Sequence, residues 1–455
     1  MTTTDYFLTC EVSIAVCLAA FFALLWLLRS NGPSLGLPFA YLSLLVVNHV
    51  PGAFVPLADH EFNAHLAAVS IGIELTAIGI VCFVIGVWYA RLNTAEQRLA
   101  PQPSAQMALI REDKPFWVFC LISGWLFTFG LASLQHVPTL GAIIYNGGAI
   151  CMLGNLLALR WTVKNRQHKS TFFWLICLAA YPGMILVTSG FLSYGATAGL
   201  VVLCALAVTA RSYWRVAMVI VLTAYVGLSG FSNYFQARDN IRDAVWAGAS
   251  LERRVTAISS IFTQWRFLTT DDQLALAGID LRLNQNYFVG LAAQNLESGG
   301  VKYLYGQSIS DAMLSLVPRA LWPGKTVFGG SGDLIKKMTG LELSTSTSWG
   351  VGNVMEFYIN FGLYSLVGGF LLLGWIIGRL DHRAALAETR GDRNTVILFA
   401  LPAIALIQPI GSMVELVGSS AGAYLGALFW NWAWTHWQER RETSAAIPSS
   451  GAAPS

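Results

Sequence analysis

The chain has 455 residues, of which 55% are hydrophobic and 12% are charged, and its net charge is +3. So few charged side chains cannot cover a water-facing surface of this size, and the composition therefore indicates a membrane protein. The small net charge and the absence of a basic run exclude nucleic acid as an expected partner. The seven cysteines lie in apolar stretches without a CxxC pair, and the seven histidines are scattered, so we expect neither a metal nor a cofactor.

A helix that crosses a bilayer needs about 20 apolar residues, and stretches of this kind predict about 11 transmembrane helices. They lie near residues 6–28, 35–57, 66–90, 116–134, 141–159, 171–190, 194–210, 216–233, 354–378, 394–411 and 418–435. The expected fold class is all-α, a polytopic membrane protein with one large helical loop. Its parts are an N-terminal bundle of about eight helices (1–233), the large loop (234–353), about three C-terminal helices (354–437) and a disordered tail (438–455).

The charges predict how the chain is oriented in the membrane. All lysines and arginines outside the large loop fall in alternate connections between the predicted helices. Because positively charged connections stay in the cytoplasm, this alternation predicts a periplasmic N-terminus and a cytoplasmic C-terminus. The large loop then lies on the same side as the N-terminus, away from the cytoplasm. Long loops do not follow the charge rule, so the loop's own cations do not conflict with this orientation.

Two helical patterns open the large loop. Arg238 and Arg242 alternate with Asp239 and Asp243 one turn apart, which is typical of a self-neutralising helix face as readily as of a binding site. Apolar residues then recur at helical spacing over 251–265, which predicts an amphipathic helix. This helix either lies along the membrane surface, with its arginines near lipid phosphates, or packs on the membrane domain.

A cationic turn follows later in the loop. Pro318 and Pro323 restrict its backbone, and Arg319 and Lys325 lie on either side of Trp322. An arginine fork, a lysine charge and an aromatic face are the groups that a phosphate and sugar ligand would need. A purely structural turn with surface cations would have the same sequence. No phosphate-binding glycine loop of the nucleotide-binding type is present, so a nucleotide is not expected.

A polar stripe marks the start of the predicted span at 354–378. Glu356 and Asn360 are four residues apart and share a helix face, with Asn353 one turn earlier. Polar groups at this position should face protein or a water-filled cavity. Glu356 would then accept a proton or orient an arginine, or it would form a structural pair with a loop arginine.

Other ionisable residues within or near predicted spans favour a proton path, which is the main transporter hypothesis. Glu74 is the candidate that we expect to be most buried, and its structural alternative is a pair with His49. Glu11 and Glu415 fall close to predicted span ends, which makes them interfacial.

Several motifs in order carry a resemblance to a known family. They are Arg282, Tyr305-Gly306-Gln307-Ser308, Val317-Pro318-Arg319-Ala320-Leu321-Trp322-Pro323-Gly324-Lys325, Ser348, Glu356-Phe357-Tyr358-Ile359-Asn360-Phe361-Gly362 and Gly374. This order resembles bacterial polysaccharide repeat-unit polymerases of the O-antigen polymerase type. Thr326 stands where a proline commonly follows the lysine in that family.

The resemblance implies a metal-independent membrane glycosyltransferase of the GT-C kind, acting on undecaprenyl-pyrophosphate-linked oligosaccharides at the periplasmic face. Its catalytic residues would be Arg319, Glu356 and Arg282. Its substrate-binding residues would be Lys325, Arg238, Arg242, Trp322, Tyr358 and Asn360. The expected partners are the lipid-linked substrates, membrane lipids and a chain-length regulator.

Two other functions stay open. One is a transferase of the O-antigen-ligase kind, which moves finished glycan onto another acceptor. The other is a flippase or transporter of lipid-linked oligosaccharide, which would need a cationic cavity within the membrane rather than cations in an external loop.

Overall fold

A computed structural model of the chain describes residues 3–58, 65–92, 113–131, 134, 144, 146–210, 212–317, 322, 331–342 and 349–446. All regular secondary structure in these ranges is helical. The first helices are α1 (Thr3–Ser30), α2 (Leu37–Ala58), α3 (Leu66–Leu92), α4 (Lys114–Trp125), α5 (Gly147–Lys164), α6 (His168–Ser189), α7 (Ser193–Thr209) and α8 (Tyr213–Trp246). They are followed by α9 (Leu251–Thr263), α10 (Gln273–Arg282), α11 (Gln285–Glu297), α12 (Gln307–Ser315) and α13 (Ser331–Thr339). The last are α14 (Asn353–Phe361), α15 (Leu363–Arg390), α16 (Arg393–Ala405) and α17 (Met413–Ala446).

Among the described residues, six helices are long and apolar enough to cross a membrane. They are Thr4–Ser30, Leu37–Leu57, Leu66–Leu92, His168–Ser189, Tyr213–Trp246 and Leu363–Arg390. Shorter apolar helices cover Lys114–Gly130, Gly195–Thr209 and Arg393–Ala405. The predicted all-helical membrane architecture is therefore confirmed for the described residues. The predicted count of about 11 spans is not confirmed in these ranges.

Two predicted spans differ in extent from the helices of the structure because apolar sequence does not show where a helix is interrupted. The predicted span 354–378 is divided at Gly362, whose φ of 65° ends α14 and begins α15. The predicted span 394–411 contains only α16, which has Pro402 in its last turn and ends at Ala405. Proline removes a backbone donor, and glycine adopts a positive φ without strain, so both end helices inside apolar sequence.

Two other helices are longer than predicted. α8 continues without a break past the expected loop boundary at 233/234 to Trp246. α17 continues to Ala446, past the expected start of the tail at residue 438.

The centre of the bundle is the contact between α3 and α15. A Cβ added at Gly86 would lie 2.2 Å from the carbonyl oxygen of Leu371, and one at Gly374 would lie 2.2 Å from that of Phe83. Both values are far below van der Waals contact, so only glycine lets the two backbones approach this closely. Small residues play this part in many membrane helix pairs.

Buried ion pairs join the helices at one end of the bundle, which we call the Asp381 end. Arg91 and Asp381 lie 2.9 Å apart with side chains almost fully buried. The Asp381 carboxylate also accepts N–H groups of Leu35 and Leu37 at the start of α2 and the hydroxyl of Ser34. A buried carboxylate needs this number of partners to offset its desolvation. The Asp381 end also contains the ion pairs Arg160–Glu388 and Arg393–Asp113.

Interrupted segments meet inside the bundle. The backbone N–H groups of Gly352 and Asn353 donate to carbonyls of Ile410 and Pro409, at 3.1 and 2.8 Å. The Asn353 side chain accepts the hydroxyl of Tyr41 at 2.7 Å. Irregular backbone inside a membrane protein needs internal hydrogen-bond partners. Each segment supplies them to the other, and together they hold the start of α17 in place.

α8 stands apart from the other spans along its first half. Trp214, Val221 and Leu222 are all more than half exposed. Only the second half is well packed, where Ile241 and Val245 join a small core with Ile261 of α9. The amphipathic helix predicted over 251–265 therefore packs on α8. On a neighbouring face it leaves Leu251, Val255 and Phe262 exposed.

Candidate functional site

A cavity of about 2860 Å³ lies between α8 and the wall formed by α2 and α7. Small-molecule sites usually enclose about 300–1,000 Å³, so this one is large enough for a lipid-sized ligand. Val47, Leu203 and Val219 line it and stay partly exposed. The cavity therefore has apolar walls and opens to the side of the bundle, where acyl or isoprenoid chains would lie.

Three arginines gather at one end of the cavity. Arg238 and Arg242 come from α8, and Arg282 is the last residue of α10. The Arg242 guanidinium lies 4.8 Å from the ring centroid of Phe191. The Arg282 guanidinium lies 4.3 Å from that of Trp349. These aromatic faces hold the cations in place without neutralising them. We call this group the arginine cluster.

The arginine cluster keeps its positive charge. Within the described ranges, neither Asp239 nor Asp243 forms a salt bridge with its guanidinium groups. Burial and the nearby charges of Arg238 and Arg242 together lower the pKa of Arg282 to about 10, and the nearby charge of Asp239 opposes this shift only in part. Desolvation and like charge both disfavour the cation, and a bound anion would relieve both.

Buried polar atoms without a hydrogen-bond partner surround the same end of the cavity. They are Nε of Arg242, Oε1 of Gln285, Oγ of Ser331 and Nε1 of Trp349. Buried polar atoms are normally satisfied, so four together indicate a place for a polar ligand or for water. Sequence reasoning missed Gln285, Ser331 and Trp349. The sequence around Gln285 has no motif, whereas the glycine-rich element around Ser331 and the aromatic residue just before the Glu356 segment were signals for Ser331 and Trp349.

Glu415 also lines the cavity, on α17. Its side chain is exposed to the cavity, and its Oε2 accepts the N–H of Ser412 at 2.9 Å. The Ser412 hydroxyl accepts the N–H of Glu415 in return. This reciprocal pair is a capping box that starts α17. The sequence predicted an interfacial position for Glu415 and gave no sign that this residue lines a cavity.

Glu356 is placed differently from the arginine cluster. It is fully buried, it does not line the cavity, and its Oε2 accepts the N–H of Met413 at 2.7 Å. The predicted structural pair with a loop arginine is not seen in the described part of the chain. Glu356 instead caps the same α17 N-terminus from the other side, where a negative charge interacts favourably with the helix dipole.

Asn360 and Tyr358 also lie away from the cavity. Asn360 donates to Ser308 Oγ at 2.8 Å and accepts the N–H of Gly306 at 3.1 Å. It thereby fixes the turn at Tyr305 and Gly306, where both residues have a positive φ. Tyr358 is buried beside Tyr303. Asn360 therefore stabilises the shape of this turn.

The cationic turn is only partly described. Trp322 is half exposed, with 51% of its surface accessible. Arg319 and Lys325 lie outside the described residues. Of the expected site residues, the structure therefore brings Arg238, Arg242 and Arg282 together and keeps Glu356 apart from them.

The predicted pair of Glu74 and His49 is wrong. The Glu74 side chain is exposed. His49 is buried, and its Nδ1 lies 2.7 Å from Oδ1 of Asn286 and 3.0 Å from the hydroxyl of Thr76. His49 thus joins α2 to α11 and α3 through neutral partners, because α11 covers this part of α3.

No model of a protein family matches the chain, and no curated protein or solved structure matches it either.

Proposed function

We propose that this protein is a membrane glycosyltransferase that polymerises undecaprenyl-pyrophosphate-linked oligosaccharide repeat units into O-antigen or exopolysaccharide. One observation carries the proposal, namely that the arginine cluster lies at the end of a large apolar cavity with a lateral opening. A polyprenyl pyrophosphate has the same two parts, a long apolar chain and a compact anion. The apolar wall suits the chain, and the guanidinium groups, which form no salt bridge with a described carboxylate, suit the anion.

The chemistry fits residues that bind charge rather than a metal. In the transfer, an acceptor hydroxyl oxygen forms a bond to the anomeric carbon of the donor chain, and the bond from that carbon to the pyrophosphate oxygen breaks. Negative charge grows on the pyrophosphate as it leaves. Guanidinium groups fixed beforehand by Phe191 and Trp349 stabilise that charge without reorganising, which is the largest single source of catalysis in many enzymes.

The proposal includes the orientation expected from the charges. The arginine cluster would face the periplasm, the C-terminus would lie in the cytoplasm, and the protein would lie in the bacterial inner membrane. A chain-length regulator would be a partner. Arg319, Lys325 and Trp322 would add contacts to the pyrophosphate and sugar from the cationic turn. Glu356, Tyr358 and Asn360 would support the site from outside the cavity.

Polymer length in cells tests the proposal. Cells that lack the gene should carry glycan with single repeat units, and the wild-type chain should restore long polymer. Arg319→Ala should abolish long polymer while the protein remains inserted at normal abundance. Normal polymer from that variant would remove Arg319 from the site. Long lipid-linked chains that stay unattached in the deleted cells would instead identify a ligase.

A flippase or transporter of lipid-linked oligosaccharide is the second candidate. The observation that favours it is that the same cavity also reaches Arg166 and Arg215, near the Asp381 end of the bundle. Cations at both ends of one cavity would suit a headgroup that crosses the membrane. Purified protein in vesicles distinguishes the two, because a flippase would move a labelled polyprenyl pyrophosphate between leaflets without lengthening any glycan.

A further inference from the structure

The cavity has a second polar wall beside the arginine cluster, and Trp349, whose ring lies against the Arg282 guanidinium, belongs to both. This wall is formed where the interrupted segments meet, and its polar side chains are Gln285, Trp349 and Glu415. Gly350 packs against the carbonyl of Ile410 in this wall, with an added Cβ only 2.3 Å from that oxygen. A substituent at Gly350 would therefore displace part of this wall.

Two carboxylates meet at the start of α17, but only one reaches the cavity. Glu356 is fully buried and holds the N–H of Met413. Glu415 is exposed to the cavity, with Oε2 in the capping box. Its Oε1 accepts no hydrogen bond from the described residues and is available to a ligand in the cavity. The accessible carboxylate of this region is therefore Glu415 rather than Glu356.

Uncharged polar atoms flank Glu415 on the same wall. Gln285 is more than nine-tenths buried, and its Oε1 has no hydrogen-bond partner. Trp349 offers an indole N–H that also has none. An acceptor and a donor of this kind pair with hydroxyl groups, and they add no charge that would favour a second anion. The wall thus complements a neutral polyhydroxyl group, whereas the arginine cluster complements an anion.

We propose that Gln285, Trp349 and Glu415 form the binding subsite for the acceptor sugar, and that Glu415 is the catalytic base for its hydroxyl. This inference depends on the proposed glycosyl transfer. The Glu415 carboxylate would take the proton from the acceptor hydroxyl while that oxygen bonds to the anomeric carbon of the donor. The electron pair of the broken bond would leave with the pyrophosphate toward Arg282, and the proton would remain on Glu415 until water removes it.

The capping box makes a sharp test possible. Glutamine serves in a capping box as glutamate does, so Glu415→Gln keeps the cap and removes only the base. We expect long polymer to fall on the order of 100-fold or more, which is typical when a general base is lost. Thermal unfolding and binding of undecaprenyl pyrophosphate in detergent micelles should be unchanged. The matched control is Ser412→Ala, which removes half of the cap and keeps the base, and it should unfold at a lower temperature but still make polymer.

The outcomes separate this inference from the proposed function. Normal polymer from Glu415→Gln would overturn the role of Glu415, even if the wild-type chain is a polymerase. A loss of polymer in Ser412→Ala as deep as in Glu415→Gln would also overturn it, because the cap would then explain both. If the wild-type chain itself does not restore polymer, the proposed function is wrong, and the inference about Glu415 is wrong with it. Reduced polymer from Trp349→Phe, with unchanged binding of undecaprenyl pyrophosphate, would support the sugar subsite.

Discussion

The two ends of the membrane bundle differ in whether their arginines are paired with carboxylates. At the Asp381 end, Arg91 is paired with Asp381, and Arg160 with Glu388. In the arginine cluster, Arg242 and Arg282 lie against aromatic rings and form no salt bridge with a described carboxylate. Pairing lets a buried charge hold helices together, since a lone buried charge is costly. In the arginine cluster the unfavourable energy of unpaired charge remains, and a bound anion would offset it. The paired end is therefore structural, whereas the arginine cluster is suited to binding an anion.

Removing the carboxylate at the paired end should have the largest effect. Asp381→Ala removes the carboxylate that pairs with the buried Arg91 cation and frees the N–H groups at the start of α2. Breaking a buried pair in this way costs about 3–5 kcal/mol. We expect little folded protein in the membrane, measured by abundance and by thermal unfolding in detergent. If Asp381→Ala had wild-type abundance and unfolding temperature, the ion pair of Asp381 would not be what stabilises this end of the bundle.

Removing a cation from the cluster should change activity and spare the fold. Arg282→Ala should lower polymer formation by about 100- to 1,000-fold, the usual effect of removing one group that stabilises a leaving charge. Unfolding temperature should stay level or rise, because a desolvated cation with like-charged neighbours is lost. Arg266→Ala is the matched control, since Arg266 is exposed and does not line the cavity. Equal losses in both variants would contradict the comparison between the two ends.

The charge of Arg282 should be lost at a lower pH than that of an ordinary arginine. Its pKa of about 10 lies below the usual 12.5, so the cation is present below pH 10 and disappears as the pH rises through that value. Binding of undecaprenyl pyrophosphate should weaken between about pH 9 and 11. The folded state binds fewer protons than the unfolded state above pH 10, so this group makes the fold more stable as the pH rises toward 12.5.

A titration in detergent micelles checks the pH dependence. The part of it that belongs to Arg282 should be absent in Arg282→Ala and intact in Arg266→Ala. Binding that is equally strong at pH 8 and pH 11 in the wild-type chain would show that Arg282 does not contact the anion.

A smaller effect is expected from the indole of Trp349. Trp349→Phe keeps a ring beneath the Arg282 guanidinium and removes the unpartnered N–H. One hydrogen bond contributes about 0.5–1.5 kcal/mol, so polymer formation should fall by no more than about tenfold. Trp349→Ala, which also removes the cation–π contact, should fall further. Equal activity of the two variants would show that the ring does not hold Arg282.

Hydropathy was enough to predict an all-helical membrane protein, because apolar length is a local property of the sequence. It did not predict where the helices are interrupted. The start of α14 at Asn353 depends on partners far away in the chain, namely the carbonyls of Ile410 and Pro409. A window of apolar residues contains no information about those partners.

The site could be predicted only in part for a similar reason. Helical spacing places Arg238 and Arg242 on one face, but Arg282 joins them through the packing of α10 beside α8. The polar stripe with Asn360 singled out Glu356, whereas the position of Glu415 near a span end made it an interfacial residue. Which of them faces the cavity is decided by the cap that each makes on α17, and that contact is tertiary.

The separation of α8 from the bundle has a consequence for experiments on this protein. Over its first half, α8 exposes most of its side chains, which would face lipid in a membrane, and it is anchored mainly near Ile241 and Val245. One wall of the cavity is thus positioned by the surrounding solvent. We expect affinities measured in short-chain detergent to differ from those measured in a bilayer. Protein reconstituted in lipid should be the preparation in which the cavity has the width that it has in the membrane.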